Sequence, residues 1–425
     1  MKILKIVFLF LGILLVACES EKYENVFDEA PDQRRKEYYE QLQATLTKGG
    51  NGWNMQYFTS EYSPGYNLYA AFDHSGSVTL GAKNTVTANV YKEYTSRYGF
   101  TYENGPSLIF TTYNIALQSF TDPDLSGATL ADFEFVVFDL KDDTIRLRGK
   151  RTNAEVLLVR IPAGMSGEQC VLRAEETKQF LCPKGGPELI MEAEGKSYSF
   201  SNGYTSFFVI QESGVDTAIT TPYIATADGF RLYKALEIDE KKLQNFQLTN
   251  NRNELVCTNP GVNAQFAALA DDVPGFFLNS LGATLSNAWK MDKNNLGGVF
   301  AEAYTQIVNN CLTVYKEDFE SLFLAYKSSR RNTTLSFKSG KYEGAFNFDM
   351  ALKEGTANQI VFTNKNSADG NGNVYLKNIP GFDTFIRELE KDSYTISRES
   401  TLSISSLKFT QVSHPDNWFK VMLNY

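Results

Sequence analysis

Histidine is nearly missing from this sequence: His74 and His414 are the only two in 425 residues. That excludes an HExxH zinc site, and a serine–histidine–aspartate triad would have to recruit one of two residues that lie far apart in turn-like stretches. No GxSxG elbow is present either; Gly164-Met165-Ser166-Gly167 misses the spacing. The five cysteines include no CxxC pair, so neither a dithiol redox motif nor a zinc knuckle is indicated. Gly195-Lys196-Ser197 ends as a phosphate loop would, but Ile190 stands where the first glycine of that loop belongs. No apolar run reaches the roughly 20 residues a membrane-spanning helix needs. Basic residues are outnumbered, 41 Lys and Arg against 50 Asp and Glu, for a net charge of −9. That balance disfavours nucleic acid and anionic membrane surfaces as partners.

What is present begins at the N-terminus. Lys2 and Lys5 precede an apolar run from Ile6 to Val16, broken only by Gly12, and Ala17 then precedes Cys18. This is the three-part layout of an export leader. Leu15-Val16-Ala17-Cys18 resembles the lipobox of bacterial lipoproteins. The resemblance implies removal of residues 1–17 and lipidation of Cys18, with two or more acyl chains giving stable anchoring where one is marginal. Loss of Lys2 and Lys5 with the leader takes the net charge from −9 to −11. Glu19, Glu21 and Glu24 then make residues 18–27 an acidic tether, which resembles the surface-export signal of Bacteroidetes lipoproteins. Cell-surface display at the outer membrane is expected over a periplasmic location, where the same residues would be a solvated tether.

The body has a hydrophobic content of 43%, enough for substantial cores, and 23 Tyr and 31 Phe suited to cross-strand packing. Four cysteines remain beyond Cys18. Cys170 and Cys182 flank a loop-like stretch and are the candidate disulfide, with unpaired buried thiols as the alternative. The one metal-like loop is Asp122-Pro123-Asp124-Leu125-Ser126-Gly127. Oxygen ligands from Asp122, Asp124 and Ser126 would open a calcium loop, but Phe133 replaces its closing Glu, and an acidic turn is the plainer reading. Asp142-Asp143, Asp271-Asp272 and Glu175-Glu176 are the adjacent carboxylate pairs, read as solvated loop residues.

In chain order, Pro31 opens a helix running to about Thr47, with Tyr39, Leu42 and Leu46 on one stripe and Gly49-Gly50-Asn51-Gly52 stopping it. Residues 28–161 therefore read as a helix plus an antiparallel β domain. Its strands include Asn54 to Thr59, Tyr66 to Phe72, Thr85 to Tyr94 and Phe133 to Leu140, with a short helix near Thr112 to Phe120. Pro162 to Pro187, rich in Gly and Pro, reads as a boundary. A second β region spans 187–260 and a mainly helical one 261–330, where Phe300, Ala303, Tyr304 and Ile307, and again Phe319, Leu322, Phe323 and Tyr326, are helix-spaced. Residues 331–425 read as α+β, with a helix over Phe382 to Glu390 and a terminal strand over Trp418 to Leu423. Asp369-Gly370-Asn371-Gly372-Asn373 reads as a flexible turn. The expected class is α+β, mostly antiparallel β, with two or more β-meander domains, an N-terminal helix and a partly helical middle.

The lipobox, Phe27-Asp28-Glu29-Ala30-Pro31 with Arg34, the helix ending in Asn51-Gly52-Trp53, and Gly105-Pro106-Ser107-Leu108-Ile109-Phe110 together resemble one group of Bacteroidetes lipoproteins. Phe120-Thr121-Asp122-Pro123 and Asp228-Gly229-Phe230 extend the likeness to the family numbered 4302 among domains of unknown function. That resemblance implies an outer-membrane lipoprotein, often accompanying a TonB-dependent uptake system, and no known catalytic residue. The expected role is a non-catalytic binding or accessory component of nutrient uptake, with glycan, peptide or partner protein all open as ligand. An extracytoplasmic hydrolase using paired carboxylates is the alternative.

The anchor is directly testable. Each buried CH2 of a lipid chain contributes about 0.8 kcal/mol, so Cys18→Ala should move the protein out of the detergent phase and abolish labelling by radioactive fatty acid. A wild type that takes up no label would refute the lipobox reading.

Overall fold

A computed structural model describes residues 30–424, apart from residues 104, 123, 125–130, 183–187, 203–205, 250–251, 268–271, 283, 286–287 and 328–331. The leader, Cys18 and the acidic tether lie outside the described residues. Every strand pairing between neighbours is antiparallel, in three sheets.

The chain enters through α1 (Pro31–Thr47), with Pro31 in its first turn, where a missing N–H costs nothing. Leu42 and Leu46 are buried in the core of the first barrel, and the Trp53 indole donates to the Leu46 carbonyl at 2.9 Å. That barrel closes β1 (Trp53–Phe58), β2 (Gly65–Phe72), β3 (Ser77–Ala82), β4 (Lys92–Thr101), β5 (Ser107–Phe110), β6 (Glu134–Leu140), β7 (Thr144–Gly149) and β8 (Glu155–Arg160) in sequence order. Alternate residues point inward, as the period of two requires: Met55 and Tyr57, Leu68 and Ala70, Ile145 and Leu147 fill the interior. The short helix expected near Thr112 is α2 (Ile115–Gln118), capped by the Asn114 side chain.

A helix, α3 (Gly167–Leu181), joins the first barrel to the second. The second closes β9 (Leu189–Ala193), β10 (Lys196–Asn202), β11 (Phe207–Glu212), β12 (Ala218–Thr226), β13 (Gly229–Ile238), β14 (Lys241–Thr249), β15 (Glu254–Cys257) and β16 (Ala264–Ala267). Phe200, Phe208, Phe230, Phe246 and Phe266 pack at its centre, with ring centroids 4.8 to 6.4 Å apart in the recorded pairs. Gly195-Lys196-Ser197 begins in the β9–β10 hairpin, where Glu194 and Gly195 both take positive φ, as a two-residue primed turn demands.

The third sheet follows α4 (Val273–Asn279). Its strands are β17 (Trp289–Met291), β18 (Leu296–Gly297), β19 (Phe319–Lys327), β20 (Asn332–Ser339), β21 (Tyr342–Leu352), β22 (Gln359–Ala368), β23 (Ser393–Ser400), β24 (Ser403–Gln411) and β25 (Trp418–Leu423). β17 pairs with both β19 and β25. The hydrophobic faces of α5 (Val299–Asn310) and α7 (Phe382–Glu390) pack into this core, and α6 (Gly370–Asn378) lies against β21 and β22. Among the described residues no helix is long and apolar enough to cross a membrane.

Several expectations require correction. Thr85 to Tyr94 is not one strand: Asn84 and Thr87 cap each other around a 3-10 turn at Thr85–Thr87, Ala88 and Asn89 take left-handed φ, and β4 starts only at Lys92. The Gly- and Pro-rich stretch after Pro162 contains α3, started by the reciprocal pair of Ser166 and Gln169. Phe319 to Tyr326 is strand β19 rather than helix; Leu322, Phe323, Leu324 and Ala325 are all buried, and burial on both faces erases the alternation that marks a strand. Asp369-Gly370-Asn371-Gly372-Asn373 is the capped start of α6, with the Asp369 carboxylate accepting from Gly372 N. β5, β10, β12, β16, β17 and β18 fall outside the strands expected from the sequence, and residues 261–330 are not mainly helical, since β16, β17, β18 and β19 interleave with α4 and α5.

The Cys170–Cys182 disulfide is also overturned: both thiols are free. They lie twelve residues apart along α3 and its C-cap, about 18 Å at 1.5 Å per residue, whereas a disulfide needs Cα atoms within about 7 Å. Burial pushes the Cys182 thiol up to about 12 and the Cys170 and Cys311 thiols up to about 11. At pH 8 iodoacetamide should therefore label these three slowly in the native protein. Unfolded without reductant, Cys170, Cys182, Cys257 and Cys311 should all be alkylated; a disulfide-linked Cys170–Cys182 peptide in the mass spectrum would overturn this assignment.

Candidate functional site

β1 is buried at all six positions. Trp53, Met55 and Tyr57 face the barrel interior, so Asn54, Gln56 and Phe58 must be covered from outside. The cover is the second barrel. Gly229 to Leu232 of β13 is likewise buried on both faces, and its outward Arg231 and the adjacent Tyr233 meet the first barrel. Phe58 and Tyr233 pack edge to face at 4.9 Å. Arg231 Nη2 donates to Glu155 Oε1 at 2.9 Å, and Asn67 Nδ2 donates to the Ala225 carbonyl at 2.7 Å. Gly65 permits this approach: a Cβ there would lie 2.5 Å from the Ile224 side chain. Gly167 does the same for α3, where a Cβ would lie 2.3 Å from the Tyr69 ring.

Two cavities flank α3 along this seam. The larger, about 490 Å3, is lined by one face of α3 (Val171, Ala174, Glu175, Lys178) together with Tyr66 and Ser119. The smaller, about 260 Å3, is lined by Asn54, Gln56, Cys170, Arg231, Asn245 and Gln247, among others. Strand register explains the grouping. Asn54 and Gln56 are two residues apart on one face of β1, while Arg231 pairs with Asn245 and Gly229 with Gln247 across β13 and β14.

The polar groups here are incompletely paired. Asn54, Gln56 and Arg231 are 6%, 6% and 5% exposed, yet Asn54 Oδ1, Gln56 Oε1 and Arg231 Nη1 have no hydrogen-bond partner. Ser119 Oγ, beside the larger cavity, is a fourth such atom. Each unmet buried group costs about 1–3 kcal/mol. Burial also draws the Arg231 guanidinium downward from its ordinary range, opposed by the Glu155 carboxylate.

The sequence candidates fall elsewhere. Asp122 accepts from the backbone N–H of Asp124 in an exposed local turn, and Ser126 lies outside the described residues. Among the described residues no group of three or more His, Cys, Asp or Glu could hold a metal ion. Asp142 pairs with Lys48, Asp272 caps α4, and Asp271 lies outside the described residues. Glu175 and Glu176 are on a helix, not in a loop; Glu175 lines the larger cavity while Glu176 is exposed. Lysine hydrogen bonds from Lys234, Lys48 and Lys241 hold Glu61, Asp142 and Glu194 below the ordinary carboxylate range. His74 and His414 sit in exposed turns. The seam residues were missed because a lone Asn, Gln or Arg in a strand carries no motif; the available signal was an outward face of β1 with no charge on it.

A family model matches residues 23–250, more than half of the chain. The chain belongs to that family, Domain of unknown function (DUF4302). The DUF4302 match takes in α1, the whole first barrel, α3 and the second barrel as far as β14, so Asn54, Gln56, Glu155 and Arg231 all lie within it. A search of curated proteins finds no match. Among solved structures, the chain aligns with the DNA polymerase III beta subunit of Thermotoga maritima at 7% identity, covering 91% of this chain and 96% of that one, with a TM-score of 0.14. A DNA polymerase sliding clamp from Pseudomonas aeruginosa aligns at 10% identity, 92% and 98% coverage and a TM-score of 0.13. A putative DNA polymerase III beta subunit from Eubacterium rectale gives 10%, 91% and 97%, and 0.15. Scores this low carry no argument about the fold or role of the DUF4302 chain.

The Arg231–Glu155 pair joins the two barrels, so its loss should be felt globally. Glu155→Ala leaves a buried guanidinium without its carboxylate and should destabilise by about 3 kcal/mol or more, read as a lower urea midpoint. A change within a few tenths of a kcal/mol would show that the pair contributes nothing to joining the barrels.

Proposed function

We propose that this DUF4302 chain is a non-catalytic binding or accessory component of a nutrient-uptake system. It is held at the outer membrane by lipid on Cys18, displayed at the cell surface, and works beside a TonB-dependent transporter. Leu15-Val16-Ala17-Cys18 and the acidic residues after it support the address. The observation that carries the binding role is the inter-barrel seam, where two cavities are lined by residues whose buried polar atoms the protein itself leaves unpaired. Unmet groups of this kind are costly in a resting protein and are offset when a ligand supplies the partner.

A carboxylate hydrolase is the alternative. It calls for a carboxyl pushed above its ordinary range in a cleft. The carboxyl groups with resolved shifts among the described residues all move downward, so no specific observation favours that reading.

The test is binding without turnover. Full-length protein should be stabilised by small polar solutes screened by thermal shift, gaining about 1.4 kcal/mol at ten times Kd. Prolonged incubation with oligosaccharides or peptides should release neither reducing ends nor free amines. Sustained release that scales with protein concentration would overturn the proposal.

A further inference from the structure

We propose that the smaller inter-barrel cavity binds a polyhydroxylated ring compound of about monosaccharide size that carries no positive charge. This rests on the binding role proposed above and assigns its ligand chemistry.

Size sets the first limit. A volume of about 260 Å3 equals eight or nine waters at roughly 30 Å3 each, too small for an extended peptide and sufficient for one sugar ring. Charge sets the second. Three charged side chains line the cavity, Arg160, Asp228 and Arg231, and of their two cationic groups neither has a carboxylate to itself. Arg231 pairs with Glu155 at 2.9 Å, and Asp228 with Arg173 at 3.4 Å. Arg160 donates to the carbonyls of Thr45, Lys48 and Asp142 and lies 3.9 Å over the Trp53 ring. A cationic ligand would meet no free carboxylate and would still lose its hydration, whereas Arg160 has only carbonyl partners and Glu155 is shared between Arg231 and Arg146, so a single negative charge on the ligand is tolerated.

The unmet atoms set the third. Asn54 Oδ1 and Gln56 Oε1 need donors, while Arg231 Nη1 needs an acceptor. Asn54 and Gln56 are neighbours on one strand face, about 7 Å apart at 3.3–3.4 Å per residue. A six-membered ring bearing several hydroxyls presents groups that both donate and accept across that span. Asn245 and Gln247 add two further carboxamides from β14. The terminal torsions of Asn and Gln are broad, so small rotations turn these amides toward a bound hydroxyl.

Full-length wild type, Asn54→Leu and Gln56→Met are compared by titration calorimetry and thermal unfolding. The probes are glucose, galactose and N-acetylglucosamine as neutral rings, galacturonate as an anionic ring, and Gly-Gly as a zwitterion without hydroxyls. At least one of the four rings should bind wild type, and Gly-Gly not measurably. Both substitutions should weaken the bound ring at least tenfold; Gln56→Met should leave the melting temperature unchanged or higher, because it removes an atom that the resting protein leaves unpaired, whereas Asn54→Leu also loses the Asn54 Nδ2 bond to Asn67 Oδ1 at 3.1 Å and should lower it. A destabilised Gln56→Met that still binds would overturn the proposal by assigning the amide a purely structural role. If Gly-Gly binds and Gln56→Met abolishes it, the ring assignment falls and the binding site stands. If no probe binds and a crystal structure shows only water in the cavity, both fall.

Discussion

β1 along its whole length and β13 from Gly229 to Leu232, strands of different barrels, are buried on both faces, and the arrangement of the first two-thirds of the chain depends on that constraint. A barrel strand normally leaves its outer face to water. Here the outer faces meet each other, so their polar residues lose solvent together. Arg231 and Glu155 answer part of that loss with an ion pair, and Asn67 with a bond to the Ala225 carbonyl. Gly65 and Gly167 remove the side chains that would hold the barrels and α3 apart. The DUF4302 match spans both sides of this contact.

The seam is built differently from the cores beside it. The second barrel closes over five phenylalanines and Tyr223, which have no polar demand that the barrel cannot meet internally. Between the barrels the same chain places carboxamides and a guanidinium and leaves some of their atoms unpaired. Buried polar networks stabilise when complete and cost free energy when partial. A partial one beside a cavity is the arrangement expected where the missing partner arrives from solution.

α3 shows how local chemistry and packing combine. Ser166 lies in a Gly-Met-Ser-Gly run that looks like a loop, yet its hydroxyl caps a helix whose buried residues Cys170, Val171, Ala174, Thr177 and Leu181 repeat at helical spacing. The helix carries Cys170 and Cys182 apart and lines a cavity on either side. Its Thr177 hydroxyl donates to the Ala227 carbonyl, tying it to the β12–β13 turn.

Much of the local structure was legible in the chain itself. Pro31 and the stripe of Leu42 and Leu46 marked α1, Phe300, Ala303, Tyr304 and Ile307 marked α5, and the run from Trp418 to Leu423 marked β25. These signals are short-range: each residue's environment repeats with the period of its own element. Where a strand was buried on both faces, as in β19, that period vanished and helix spacing took its place by chance. The candidate site was not legible for a further reason. Asn54 and Gln56 stand some 175 positions from Arg231 and share no motif with it. Only closure of both barrels, and the contact of their outer faces, brings the three to one cavity. The sequence by itself determined mostly antiparallel β structure, the entry helix and the absence of familiar catalytic motifs, because those follow from neighbours along the chain. The tertiary structure decided which polar residues lose water together, because that depends on which faces meet.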